Sequence, residues 1–263
     1  MNVAEAYTLR NIHFGYNGKT VITGLDLNIT EGKLTAIVGP NGSGKSTLLD
    51  LMAGYREPQS GSVELLGRNI RNYGQLELSR TTAMAPQEFG FKFPFTVCEA
   101  VLMGRHPHVP RFSAPSKQDR AHADAALKIM DLTPLASRSV AALSGGERQR
   151  TVIARTLAQQ TPVILLDEPT SSMDIRHALV ALREFRRLAV EEKHTVVAVL
   201  HDLNLAASFA DEIVLLRNGD VHATGAVKET LTPDNVRAVF GVHCNVRWDD
   251  FANHLSVSYR LEP

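Results

Sequence analysis

Residues Gly39 to Thr47 read Gly-Pro-Asn-Gly-Ser-Gly-Lys-Ser-Thr. The spacing G-x-x-x-x-G-K-S/T is complete. Gly39, Gly42 and Gly44 admit backbone conformations that side chains forbid, so successive N–H groups, those of Asn41 and Ser43 included, can converge on phosphate oxygens. Lys45 adds a full positive charge at the β- and γ-phosphates. The Ser46 hydroxyl, beside Thr47, can ligate Mg²⁺. Two further places carry chemistry. Val163-Ile164-Leu165-Leu166 runs into Asp167-Glu168, and Thr195–Leu200 runs into His201. Adjacent carboxylates after a buried apolar run are costly unless a cation or substrate needs them.

The elements around these residues follow from pattern. Leu34–Val38 reads as a short strand and 46–53 as a helix closed by Gly54, the strand–loop–helix context that a phosphate loop requires. Residues 8–30 read as antiparallel strands joined at Asn17-Gly18. Tyr16, ahead of the loop, is either an aromatic of that hairpin or a stacking surface for a base, and this stretch alone favours the hairpin reading. Short strands are expected at 61–67 and 82–85, with a helical turn at 75–80. Phe89, Phe91, Phe93 and Phe95 recur at period two around Gly90 and Pro94. Gly and Pro argue against a central strand, and the four rings form either a small core or a partner patch. A short helix from Cys98 to Met103 leads into a loop at 104–110. Ser116 to Met130 reads as a helix with Ala121, Ala125, Leu127 and Ile129 apolar, and Thr133-Pro134 starts another helical turn. Ser144 with Glu147 completes a capping box for a helix to about Gln159. Asp174 caps a long helix with Ile175, Leu179, Leu182, Phe185 and Ala189 on one face. After His201 come a helix, a strand at 213–216 and a hairpin at Asn218-Gly219. Residues 226–263 read as a small helix-and-strand appendage without a motif.

Composition sets bounds. The 263 residues hold 28 basic and 28 acidic side chains, a formal balance of zero, so no global field draws the chain to nucleic acid, and none is expected as a partner. Apolar residues make up 44%, enough for a sizeable core. Cys98 and Cys244 lack metal-type spacing and read as buried thiols. His106 and His108 read as loop residues. No apolar run approaches the ~20 residues that span a bilayer. The first residues lack the features of a signal peptide, so a cytoplasmic protein is expected.

Polar residues at the C-terminal ends of several buried strands mark where open α/β sheets bind ligands. With these motifs in place, the chain resembles the ATP-binding subunit of an ABC transporter over nearly its full length. Gly39–Thr47 resembles the Walker A motif. Leu143–Arg150, L-S-G-G-E-R-Q-R, resembles the signature, and Val163–Glu168 resembles Walker B with its catalytic glutamate. Gln87 falls at the Q-loop, Ser171–Asp174 at the D-loop and His201 at the switch histidine. The resemblance implies an α/β P-loop NTPase: a RecA-like core sheet, an N-terminal antiparallel β-subdomain and an inserted α-helical subdomain. The implied divisions are 1–87 with 160–225 for the core, 88–159 for the helical part and 226–263 for the appendage. It implies ATP and Mg²⁺ as cofactors, Asp167, Ser46 and Gln87 toward the metal, Glu168 to polarise water, and His201 at the γ-phosphate. Tyr16 takes the adenine-stacking position, reversing the reading from its own stretch. Ser144, Gly145, Gly146 and Asp174 would serve a nucleotide held by a second copy, in a head-to-tail homodimer.

The D-loop departs from the family's usual S-A-L-D, reading S-S-M-D, and the fifth signature position is Glu147 rather than Gln. Phe93-Pro94-Phe95-Thr96-Val97 with Gly104-Arg105-His106-Pro107, on a pattern T-V-x-E-x-V-x-x-G-R-x-P, resembles importers of iron chelates, haem and cobalamin, as do Val199–Ala206 and Ser256–Arg260. For that group the implied partners are polytopic membrane permease subunits and, indirectly, a substrate-binding protein, at the cytoplasmic face of the plasma membrane. Ferric siderophore is the first expectation for cargo, then haem, then cobalamin. Some of the aromatics near residue 90 would then face the permease. An exporter ATPase and a non-transport ABC ATPase are the alternatives. The first lacks the G-R-x-P phrase. The second usually carries two cassettes or a long coiled coil.

Overall fold

A computed structural model describes residues 4–87 and 93–260. Its centre is a six-stranded sheet. β3 (Leu34–Val38), β6 (Thr82–Ala85), β7 (Val163–Asp167), β8 (Thr195–Val199) and β9 (Glu212–Arg217) run parallel. β10 (Asp220–Ala226) closes one edge antiparallel, giving the order β10-β9-β3-β8-β7-β6. β3, β6, β7 and β8 are buried along their whole length, which is why they read as continuous apolar runs. Alternation still sorts their two faces. On β3, Leu34, Ala36 and Val38 enter one core and Ile37 the other.

The second core lies against an antiparallel sheet of β1 (Glu5–Tyr16), β2 (Lys19–Thr30), β4 (Ser60–Leu65) and β5 (Arg68–Asn69), in the order β2-β1-β4-β5. The β1–β2 turn holds Asn17 and Gly18 at φ 48° and 81°, the type I′ signature that the Asn-Gly pair predicts. Between the two sheets runs α1 (Lys45–Met52). Buried Tyr7 of β1 donates its hydroxyl to the Met52 carbonyl at 2.9 Å, satisfying one open carbonyl at that helix end. Gly54 sits just past the cap at φ 71°.

α2 (Gln75–Thr81) leads into β6. Then α3 (Val97–Leu102), α4 (Lys117–Ile129) and α5 (Gly145–Gln159) pack together before the chain returns through β7. Thr96, Ser116 and Ser144 each complete a capping box at the start of one of these helices. α6 (Ile175–Glu192) and α7 (Leu203–Phe209) follow β7 and β8. α8 (Val227–Thr230), α9 (Pro233–Phe240) and the hairpin β11 (His243–Asp249)–β12 (His254–Arg260) end the chain.

Several expectations need correction. The stretch after α3 is a 3₁₀ turn, Met103–His108, rather than a loop. The inward face of α4 is Ala123, Ala126 and Leu127, while Ala121 and Ala125 face solvent. The small Ala side chains made one stripe look like another. Ile175 is 81% and Leu179 41% exposed, and α6 buries Ala178, Ala181, Leu182, Phe185, Leu188 and Ala189 instead. Cys98 and Cys244 are half-buried free thiols rather than buried ones. Of the aromatic run, Phe89 and Phe91 lie outside the described residues. Phe93 is exposed and meets half-buried Phe95 edge-on at 5.9 Å between centroids.

Candidate active site

β3 delivers the Gly39–Thr47 loop to the C-terminal edge of the sheet, and each glycine there has its own reason. Gly42 and Gly44 sit at φ 78° and 100°, conformations costly to L side chains. Gly39 has an ordinary φ, but a Cβ on it would stand 2.2 Å from the Leu216 carbonyl oxygen. It is therefore glycine for space. Lys45 is almost fully buried, and its ammonium donates to the Gly39 and Pro40 carbonyls at 3.0 Å each. Burial holds its pKa below the ordinary lysine value, opposed by the carboxylates of Glu168 and Asp167.

β7 ends in Asp167, buried, whose carboxylate accepts from the Ser46 hydroxyl at 3.2 Å. Burial raises the Asp167 pKa, and the Ser46 bond works against that rise. Glu168 follows at φ 49°, a region that costs a residue with a side chain on the order of 1–3 kcal/mol. The bend turns its carboxylate out of the sheet, where it accepts from Gln87 Nε2 at 2.8 Å and contacts His201 Nε2. His201 reaches it from the end of the neighbouring strand β8. Three residues from three strand ends thus meet on one carboxylate.

Lys45, Ser46, Gln87, Glu168 and His201 line one cleft of about 980 Å³ together with Tyr16, Asn41, Gly42, Gly44 and Thr47, and Asp167 is tied to it through the Ser46 hydroxyl. Its walls include residues that the sequence did not single out: Lys19, Thr20 and Val21 at the start of β2, and Asn218 in the β9–β10 turn. The hairpin signals marked those turns but not what they face. Tyr16 is 38% exposed, with Phe14 edge-on at 5.0 Å. The ring is thus both an aromatic of the hairpin and a wall of the cleft.

Ser144, Gly146 and Asp174 do not join this cleft. They line a smaller one with Glu147, Arg150, Met173 and His177. Gly145 and Gly146 lie against Ser172, and a Cβ on Gly146 would come within 2.9 Å of the Ser172 carbonyl oxygen. Ser144 and Asp174 each cap a helix, α5 and α6. Among the described residues, no three His, Cys, Asp or Glu side chains cluster as a metal site, and no helix is long and apolar enough to cross a membrane.

The sequence profile described as ABC transporter matches residues 22–171. The chain belongs to the ABC transporter family. It is 40% identical to a ferric enterobactin transport ATP-binding protein of Escherichia coli, over 90% of this chain and 88% of that one. It is 41% identical to a hemin import ATP-binding protein of Rhodopseudomonas palustris, over 94% and 95%. A cobalamin import ATP-binding protein of Halobacterium salinarum is 42% identical over 92% of this chain, which spans 60% of that relative's length. Among solved structures, one of a metal-chelate type ABC transporter in an inward-facing conformation superposes with a TM-score of 0.82. It is 32% identical and is covered over 98% of its chain and 99% of this one. A dimeric bacterial ABC transporter cassette superposes at 0.75, 30% identical, over 84% of this chain and 98% of its own. The larger cleft thus holds residues of Gly39–Thr47 with Gln87, Glu168 and His201, and the smaller one holds Ser144, Gly146 and Glu147 with Met173 and Asp174.

Proposed function

We propose that this chain is the ATP-hydrolysing subunit of an importer for a metal chelate, acting as a head-to-tail homodimer on polytopic permease subunits at the cytoplasmic face of the plasma membrane. The observation that carries the reading is the convergence of Lys45, Ser46, Gln87, Glu168 and His201 on one cleft beside a glycine loop, with Asp167 bonded to Ser46. The fold divides, in this reading, into the core 1–87 with 160–225, the helical part 88–159 and the tail 226–263.

The cleft fits a nucleoside triphosphate. Gly42 lines the cleft, and a Cβ on it would meet nothing within 4 Å. The N–H groups at the start of α1 have no carbonyl a turn behind them, which suits an anion. Lys45 neutralises the β- and γ-phosphates, and Tyr16 offers a ring face to the base. Ser46 and Asp167 present hard oxygen donors 3.2 Å apart, a set suited to Mg²⁺ that keeps several waters, with Gln87 within reach of the same region. When bound, that ion would neutralise charge on the phosphate oxygens. Glu168 orients and polarises the attacking water, and His201 holds the γ-phosphate from the neighbouring strand. Ser144, Gly145 and Gly146, with Asp174, serve the nucleotide of a second copy; in their own chain Ser144, Gly146 and Asp174 line a different cleft.

For cargo, a ferric siderophore is the first choice, haem second and cobalamin third. The names of the three relatives support a choice within this group. A tagged chain recovered from detergent-solubilised membranes should bring down a polytopic membrane protein and show ATPase activity. Recovery with ribosomes in its place would sink the transport reading. Growth on single iron sources, with the chain deleted and restored, ranks the cargoes.

A further inference from the structure

Two stretches that resemble the metal-chelate group, Val199–Ala206 and Ser256–Arg260, lie some fifty residues apart in sequence and meet in the fold. The side chain of Asn204, on the first turn of α7, inserts against the edge of β12. Val257 N–H donates to Asn204 Oδ1 at 2.7 Å, and Asn204 Nδ2 donates to the Val257 carbonyl at 3.3 Å. The amide thus replaces a neighbouring strand for one residue of the hairpin. Val257 itself is buried in the main core, and Cys244, Val246 and Leu255 of the hairpin pack against that core. The other end of the same helix turn is the site. Asp202 caps α7 by accepting from Asn204 N–H at 2.7 Å and Leu205 N–H at 3.3 Å. His201 is the residue before it. Tyr259 of β12 is close enough to Asp202 that, with burial, its phenol is pushed up to about 12.

We propose that Asn204 is a positioning residue. It fastens the C-terminal hairpin to the first turn of α7, and the hairpin thereby fixes the height at which His201 stands over Glu168. The inference rests on the reading of His201 given above. The path is short and continuous: β12, the Asn204 amide, the Asp202 cap, then His201. α7 has only seven residues, and an isolated helix of that length is marginal without packing. The hairpin supplies that support, and none of its residues lines the cleft. Residues 243–260 then serve catalysis without touching nucleotide.

The chain's single tryptophan, Trp248 on β11, reports on the hairpin directly. In Asn204→Ala we expect acrylamide quenching of Trp248 to rise. We also expect kcat for ATP to fall with KM unchanged. The fall should be on the order of tenfold, short of the roughly hundredfold that a full ångström of misplacement can cost. Asn204→Asp keeps the acceptor for Val257 N–H but loses the donor, so it should fall between the two, and it serves if the alanine variant does not fold. In a His201→Ala background, Asn204→Ala should cost nothing further, because both changes act on one contact. Unchanged kcat in Asn204→Ala, beside an impaired His201→Ala, would overturn this inference alone. An additive loss in the double variant would do the same. Full turnover in His201→Ala would overturn the reading of His201, and this inference with it.

Discussion

At the scale of single residues, the site depends on positions where one side chain answers two demands. Lys45 is desolvated yet must stay charged, and the nearby Asp167 and Glu168 carboxylates hold its charge against burial. Lys45→Ala removes the cation from a phosphate cradle. A charged hydrogen bond of this kind contributes about 1.5–3 kcal/mol, so ATP affinity should fall at least about tenfold by equilibrium fluorescence titration, and unchanged affinity would remove Lys45 from its role. Gly39 answers to space rather than to φ. Gly39→Ala pushes a methyl into the Leu216 carbonyl and should cost on the order of 1–3 kcal/mol in urea unfolding, as overpacking does, with nucleotide binding lost alongside. The pattern G-x-x-x-x-G-K-S/T was readable because loop, helix start and lysine are all local. The backbone conformation of Glu168 was not. Nothing in Leu166-Asp167-Glu168-Pro169 announces a left-handed residue, and it arises because the chain must leave β7 while presenting its carboxylate to Gln87 and His201.

At the scale of elements, one buried ion pair holds the helical part together. Arg105, in the 3₁₀ turn after α3, donates Nε to Asp119 of α4 at 2.9 Å and Nη1 to the Ala158 and Gln159 carbonyls of α5 at 2.8 and 3.1 Å. Gln159 in turn donates to the Ser79 and Thr82 carbonyls, on α2 and β6, at 2.7 and 3.3 Å. Arg105→Ala should destabilise the fold by about 3–5 kcal/mol, the cost of leaving a buried partner charge alone, measured by denaturant unfolding. The pH dependence has a definite sign. Hydrogen bonds from Ser116 and the Arg105 guanidinium hold Asp119 at about 2, below the ordinary value of ~3.9. Its contribution is therefore complete above pH ~4 and disappears as pH falls toward about 2. The stability gap between wild type and Asp119→Asn should be full at neutral pH and close over that window. This pair was not legible in sequence, where Arg and Asp among helix residues look like solvated charge. The capping boxes at Thr96, Ser116 and Ser144 lie at the other extreme, since their partners are three residues away. Ile175 and Leu179 show the limit of periodicity, which marks an apolar face but not what covers it.

At the scale of the whole molecule, buried runs ending in polar residues marked the parallel strands and the loop–helix unit but not the order of the sheet, and Lys19, Thr20, Val21 and Asn218 joined the cleft without being named by the family resemblance. The attachment of the β11–β12 hairpin to α7 had no local signal, because an asparagine in a helix and a valine in a strand carry no mark of each other. The larger consequence is that the site is split. Lys45, Ser46, Glu168 and His201 line one cleft, and Ser144, Gly146 and Asp174 line another. In the proposed reading, a chain so arranged completes its site by pairing with a second copy turned head to tail. The Glu168→Gln variant keeps the shape and the hydrogen-bonding carbonyl but not the base, so it should bind ATP and stall before hydrolysis. Sedimentation velocity of that variant tests the account most directly. With ATP and Mg²⁺ it should sediment as a dimer holding two nucleotides, and without ATP as a monomer. A monomer at saturating ATP would contradict the shared site.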